Sequence, residues 1–270
     1  MEKTDRQRGM TMEKLLEGMQ AAARHAGHIM LEAEEIERAV HNKEGHGNFV
    51  TEYDQRVQKA LFEELGALLP DAHFIGEEEG QDRFVDDDRK GWAFCIDPID
   101  GTTNFIKGYR PSVTSIGLLR DGKPFMGVVY CPYWDEMFVG WQGHGAFRNG
   151  TRIVSSDHPL EESLVLLGTS PYHPQIAEKT MMLGAQYLRR ALDLRRSGSA
   201  AWDLCSVASG TAGLFFEMHL GLWDFAAGAV IAEEAGCVIT DMVGNPLTYD
   251  GPSSVLCASR GVAGGEYLPK

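Results

Sequence analysis

No stretch of this sequence approaches the ~18 to 20 uninterrupted apolar residues of a membrane-spanning helix. Its opening residues, Met1-Glu2-Lys3-Thr4-Asp5-Arg6-Gln7-Arg8, carry no apolar core of a signal peptide. A cytoplasmic protein with no membrane partner is the expectation. Cysteine is sparse and oddly numbered: Cys95, Cys131, Cys205, Cys237 and Cys257 are widely scattered and never form a C-x-x-C pair. That argues against a disulfide or zinc framework and for reduced thiols in a cytosol.

Positive charge is also in short supply. Lys and Arg total 25 against 39 Asp and Glu, a net charge of −14, so no nucleic-acid partner is expected. A small anionic substrate is still compatible, because bound cations reverse the local field wherever acids converge. Familiar catalytic signatures are missing as well. There is no G-x-S-x-G nucleophile elbow, no P-loop lysine and no G-x-G-x-x-G after a predicted strand, and the histidines are dispersed. The charged stretch from Asp82 to Lys90 places a lysine where a calcium loop wants an oxygen ligand, which rejects an EF-hand.

What is present over the 270 residues suits one large domain or two packed subdomains, with 43% hydrophobic and 24% charged residues. After a loose tail of about ten residues, apolar positions at helical spacing predict a long helix from Thr11 to Val40. On it, His25 and His28 read as solvated or packing residues. A second helix is predicted from Asp54 to Leu69, capped by Asp54 or Thr51 and ended by Pro70. His73–Gly76 reads as a short strand running into Glu77, Glu78 and Glu79. Strand-and-turn patterns between Val113 and Val154 predict an antiparallel meander.

Beyond it the rhythm alternates. Strands are expected at Leu164–Leu167, Asp193–Arg195, Gly213–Glu217 and Val238–Asp241, and helices at Pro174–Ala185, Ala200–Ser209 and Asp224–Ala235. This change places a subdomain boundary near residue 154, giving a tail at 1–10 and halves at 11–154 and 155–270. No internal repeat or low-complexity segment interrupts either half.

The chemistry gathers in Ala93-Phe94-Cys95-Ile96-Asp97-Pro98-Ile99-Asp100-Gly101-Thr102-Thr103-Asn104-Phe105. A strand-like apolar run delivers two carboxylates, and a glycine and two threonines follow as at a helix start. Such a loop offers free backbone N–H groups to a phosphate. Carboxylates repel phosphate, so a hard cation such as Mg²⁺ would have to stand between them. The same acids would also serve as turn formers facing water. Asp97 and Asp100 are three apart, whereas an aspartate-nucleophile phosphatase wants its pair two apart. Further acids stand at predicted strand-to-helix junctions, Glu77 and Asp224.

Together these residues resemble the inositol monophosphatases, within the wider group of metal-dependent, lithium-sensitive phosphatases. Asp97 to Phe105 is similar to the family's first signature, and Trp223-Asp224-Phe225-Ala226-Ala227-Gly228 with Glu234-Ala235-Gly236 to its second. Gly76-Glu77-Glu78, Val50-Thr51-Glu52-Tyr53-Asp54 and the loop Gly198-Ser199-Ala200-Ala201 also match, so the likeness runs from about residue 12 to 260.

The resemblance implies a layered αβαβα sandwich of the α/β (α+β) class, two or three Mg²⁺ ions and a homodimer. It implies that Glu77, Asp97 and the Ile99 carbonyl hold one ion, and that Asp97, Asp100 and Asp224 hold another. Glu78 would act through outer-shell water, and Asp54 and Thr102 would orient the attacking water. Gly101, Thr102 and Thr103 would hold the phosphate, and Gly198, Ser199, Ala200 and Glu217 the alcohol. The activity implied is in-line hydrolysis of a small polyol phosphate monoester, with inositol 1-phosphate first. Fructose 1,6-bisphosphate or an adenosine bisphosphate is the alternative, with Arg195, Arg196 and Lys107 as candidates for a second phosphate. A non-catalytic regulatory protein on the same fold stands behind both. The chain departs from the family between Glu217 and Trp223, at Met218-His219-Leu220-Gly221-Leu222, which would border the leaving group. Lys43 resembles a lysine of some members.

Overall fold

The computed structural model describes residues 11–33, 40–42, 49–79 and 90–268. The amino-terminal tail, Lys43 and most of the charged stretch before Lys90 lie outside them.

Helix α1 (Met12–Leu31) is capped by Thr11, whose side chain accepts from the Lys14 amide, and it buries Leu15, Met19, Ala22, Ala23, Ala26 and Met30. It is shorter than its sequence pattern predicts. The buried stripe stops at Met30, and Val40 lies instead in strand β1 (Val40–Asn42), paired with Thr51 of β2 (Phe49–Thr51). Helix α2 (Glu52–Leu68) starts on Thr51, not Asp54. The Thr51 hydroxyl caps the helix while the Asp54 carboxylate reaches back to the Thr51 amide, a reciprocal box that fixes where the helix begins.

A seven-stranded sheet follows, in the order β3 (His73–Gly76), β4 (Trp92–Asp100), β5 (Val113–Arg120), β6 (Lys123–Cys131), β7 (Glu136–Trp141), β8 (Gly145–Arg148) and β9 (Thr151–Ile153). Only β3 and β4 run parallel. That pairing brings the end of β3, which leads into a 3-10 turn at Glu77–Glu79, beside Ile96 and Asp97. Helix α3 (Thr102–Lys107) follows β4.

The second sheet begins with β10 (Leu164–Leu167) and has β10 flanked by β11 (Asp193–Arg195) and β12 (Leu214–Leu220), both parallel to it. Strand β14 (Ser253–Ala258), for which the sequence pattern predicts no strand, runs antiparallel between β12 and β13 (Val238–Thr240). The helices of this half are α4 (Ala177–Leu188), α5 (Ala200–Ala208), α6 (Leu222–Glu234) and α7 (Arg260–Ala263).

Three apolar cores hold five layers together, the central one lying on both sides of the middle helix layer. Helices α1 and α2 pack on one face of the first sheet, α5 and α6 fill the space between the sheets, and α4 and α7 cover the far face of the second. Helix α6 is buried nearly all round, as its continuous apolar sequence requires.

Its close seat on the first sheet has a specific cause. Gly117, Gly127 and Gly140 are register partners on β5, β6 and β7. A Cβ at Gly127 would stand 2.3 Å from the Ala227 carbonyl oxygen, and one at Gly140 2.7 Å from the Ile231 Cα. Three strands thus offer a groove without side chains, and the helix backbone lies in it.

Candidate active site

Strand β4 carries Asp97 and Asp100, which regular alternation would send to opposite faces, because odd spacings alternate. Between these residues, however, the pairing with β5 shifts: Asp97 faces Ser115 and Asp100 faces Val113. Three steps on β4 match two on β5. The extra residue is a bulge, and it turns both carboxylates to the same side. Pro98 sits inside it without an N–H to lose, and its carbonyl accepts from the Thr114 hydroxyl at 3.0 Å. The Ile99 amide donates to Asp97 Oδ1 at 3.0 Å.

Asp224 joins them from α6. The helix begins two residues earlier than its sequence suggests, with Gly221 as N-cap, so Asp224 lies in the third helical position rather than at the cap. Its Oδ2 accepts from the Gly221 amide at 2.8 Å. Ser115 of β5 anchors this first turn by donating to the Trp223 carbonyl at 3.2 Å. Asp97, Asp100 and Asp224 then offer oxygens that all lie within 4.8 Å of one another.

These three acids open on a cavity of ≈ 380 Å³, which Glu77, Ile99, Thr102, Arg196, Glu217 and Tyr172 also help to line. Burial first, then the charges of Glu77, Asp100, Asp224 and Asp54, push the Asp97 carboxyl well above its usual range. Asp224 is pushed the same way, by burial and then by Asp100 and Glu77. Asp100 is raised to about 6 by burial, although Ser199, Ala201 and Ala200 donate to it. Mutually repelling, enclosed carboxylates of this kind suit a hard divalent cation, which takes oxygen ligands and compensates their charge.

Glycine is required at position 101, where φ is +89° and a Cβ would approach the Gly198 carbonyl oxygen at 3.2 Å. Thr102 follows. Its hydroxyl donates to the Ile99 carbonyl at 3.2 Å and stands 3.5 Å from Asp54 Oδ1. Asp54 is fully buried behind the cavity wall rather than in it, with Oδ2 taken by the Thr51 amide and hydroxyl.

The expected alcohol-binding loop is tied to the acids. The Ser199 hydroxyl and the Ala201 amide each donate to Asp100 Oδ2 at 2.7 Å, and Asn104 holds the Ser197 carbonyl at 2.8 Å. Gly198, Ser199 and Ala200 therefore line the cavity together with Gly101, Thr103 and Glu217. Glu217 is raised to about 7 by burial, against the lowering effect of two hydrogen bonds from Ser170. Glu78 lies at the 3-10 turn, its amide donating to Gln58 Oε1.

Of the three cations named for a second phosphate, only Arg196 lines the cavity. Arg195 pairs with Asp193 at the edge of the second sheet, and Lys107 ends α3 outside the cavity wall. Two wall residues had no signal in the sequence. Asp203 is 1% exposed with Oδ1 lacking a hydrogen-bond partner among the described residues, and in sequence it reads as an ordinary first-turn helix acid. Tyr172 sits in a loop whose residues carry no motif.

Comparison with known proteins agrees with this geometry. The family model described as "Inositol monophosphatase family" matches residues 11–269. Inositol monophosphatase 2 of Solanum lycopersicum is 38% identical, over 87% of this chain and 89% of its own. The Nus factor SuhB of Vibrio cholerae is 34% identical, over 89% of this chain and 90% of its own. The crystal structure of SaIMPase-II bound to inositol monophosphate superposes with a TM-score of 0.75 at 29% identity, covering 92% of this chain and 91% of that one. With buried carboxylates on a bulged strand and a layered sandwich common to these structures, the chain is a phosphatase belonging to the inositol monophosphatase family.

Proposed function

We propose that the chain hydrolyses the phosphate monoester of a small polyol, inositol 1-phosphate first, with Mg²⁺ as its metal. The observation that carries this reading is the convergence of Asp97, Asp100 and Asp224 within 4.8 Å at the floor of a polyol-sized cavity. Inositol monophosphate bound to SaIMPase-II supports the choice of alcohol. Among the described residues Arg196 is the only Lys or Arg on the wall, which disfavours a bisphosphate.

In this reading Glu77, Asp97 and the Ile99 carbonyl hold one ion, and Asp97, Asp100 and Asp224 a second. When bound, the ions stabilise charge developing on the phosphate and acidify the attacking water. The chain's own residues do the rest. Backbone amides of Gly101, Thr102 and Thr103 hold the phosphate, and the Thr102 hydroxyl, backed by Asp54, orients the water and passes on its proton. Glu217 and the loop at Gly198–Ala200 hold the alcohol. The halves 11–154 and 155–270 divide the work: the first supplies phosphate and most metal ligands, the second Asp224 and the alcohol wall. A homodimer in the cytoplasm completes the proposal; the buried free cysteines suit a reducing compartment.

Purified protein is expected to release phosphate from inositol 1-phosphate only when Mg²⁺ is supplied, and to lose that activity in millimolar lithium. No phosphate from any sugar or nucleotide monophosphate would favour a non-catalytic role instead. Thr102→Val keeps the side-chain shape but removes the hydroxyl. It is expected to lower kcat about 10²-fold, the lower end for a positioned proton-transfer group, while leaving the Mg²⁺ concentration for half activity unchanged. A kcat within a factor of two of the parent would remove Thr102 from the proton path.

A further inference from the structure

Between β10 and α4 the chain crosses the cavity as a short strap, Gly168 to His173, anchored at three points. Arg196 Nε donates to the Thr169 hydroxyl at 3.0 Å. Ser170, buried and left-handed at φ +38°, donates through its amide to Glu217 Oε1 at 2.8 Å and through its hydroxyl to the same oxygen and to the His219 carbonyl. His173 packs edge-on against the His219 ring, with centroids 4.1 Å apart. Gly168 permits the approach, since a Cβ there would fall 1.8 Å from Glu217 Oε2. A non-glycine residue held at positive φ costs of order 1 to 3 kcal/mol and persists only where its surroundings fix it; here two hydrogen bonds to a buried carboxylate do so.

Pro171 and Tyr172 arch between these anchors, and Tyr172 lines the cavity. Its side chain is 45% exposed at the mouth, yet its hydroxyl end faces inward. A phenol, whose ordinary pKa is about 10, is a hydrogen-bond donor at neutral pH. Among the described residues it has no hydrogen-bond acceptor. The anchors all come from the second-sheet half, which carries Glu217, whereas the Gly101–Thr103 turn comes from the first. Tyr172 thus belongs to the same half of the cavity wall as Glu217, the half that the reading above assigns to the alcohol.

We propose that Tyr172 is a specificity-determining residue whose phenol donates a hydrogen bond to a free hydroxyl of the substrate's alcohol. This rests on the phosphatase reading above and adds to it a selection for alcohols that carry such a hydroxyl. A site built to bond a hydroxyl discriminates against alcohols lacking one, because its own polar group is left unpaired.

The test compares the full-length protein and Tyr172→Phe, both with saturating Mg²⁺, on inositol 1-phosphate and on phenyl phosphate, whose alcohol has no such free hydroxyl. On inositol 1-phosphate kcat/KM is expected to fall about tenfold, the worth of one well-placed hydrogen bond. On phenyl phosphate it should change less than about twofold, and the Mg²⁺ concentration for half activity should stay put on both. Equal effects on the two substrates, whether a parallel loss or none, would overturn the proposal, as would a shifted Mg²⁺ requirement, which would place the phenol on the metal side. If the unmodified protein releases phosphate from neither ester, the phosphatase reading itself fails and takes this proposal with it.

Discussion

Asp97→Asn is expected to remove Mg²⁺-dependent phosphate release by a factor of at least about 10³, because in the proposed site it would strip a shared ligand from ions that would supply several kcal/mol of charge stabilisation. The fold should survive. The amide oxygen of asparagine can still accept from the Ile99 amide, which Asp97 Oδ1 now does at 3.0 Å. In the metal-free protein the substitution also relieves repulsion, since Asp97 is 2% exposed and held against Glu77, Asp100 and Asp224. The metal-free variant should therefore melt at the parent's Tm or above it.

Magnesium separates the two proteins further. A ligand that binds only the folded state stabilises it, by about 2.7 kcal/mol at a hundred times its Kd, so the parent's Tm should climb with added Mg²⁺ and the variant's should not. Thermal melts across a Mg²⁺ series, run beside phosphate-release assays, measure both effects. A variant that keeps its turnover, or keeps the Mg²⁺-induced rise in Tm, would show that Asp97 is not a ligand.

How far the sequence foretold this site depends on which step of the chain's geometry each residue needed. Asp97 and Asp100 were visible as a pair beside a glycine, and their strand was legible from the apolar run before them. The bulge that puts them on one face was not, because it exists only in the pairing with β5. Glu77 was legible as an acid at a strand end, and the parallel pairing of β3 with β4 that brings it alongside follows from the same pattern. Asp224 stood out only because the helix behind it is so apolar.

The misses have physical reasons too. The alanine-rich stripe of α1 carries no intrinsic stop, so its period ran past Leu31 to Val40, which pairs in a sheet instead. Strand β14 offers a short Val-Leu-Cys run with no alternation, and it is fixed by its place between β13, the strand before it, and the more distant β12. Tyr172 owes its position to Ser170 and Glu217, residues 47 apart that meet only in the fold. Local patterns report local constraints; the alcohol side of the cavity is assembled from remote ones.

Gly127→Ala is expected to damage stability and metal binding together, although Gly127 lies on a strand that carries none of the site's acids. The added Cβ would sit 2.3 Å from the Ala227 carbonyl oxygen, and that atom belongs to a helix backbone that has no rotamer to yield. Either β6 or α6 must move. Overpacking of this kind costs about 1–3 kcal/mol, occasionally more, which in a protein of this size lowers Tm by roughly 2–4 °C per kcal/mol.

Helix α6 is also the only carrier of Asp224, so a shift of its first turns spoils the spacing of three carboxylates now within 4.8 Å. The Mg²⁺ concentration for half activity should rise about 10- to 100-fold, the usual penalty for disturbing what orients a metal ligand. Gly66→Ala is the matched control. It lies inside α2, where a Cβ would meet only the Phe74 ring, at an ordinary 3.8 Å or more, so it should gain about 0.5–1 kcal/mol from lost unfolded-state freedom and leave the Mg²⁺ requirement alone. If Gly127→Ala melted like the parent and needed no more Mg²⁺, the groove of Gly117, Gly127 and Gly140 would not be what seats Asp224. The opposite outcome would tie the metal site to a row of absent side chains on the sheet face against which the helix lies.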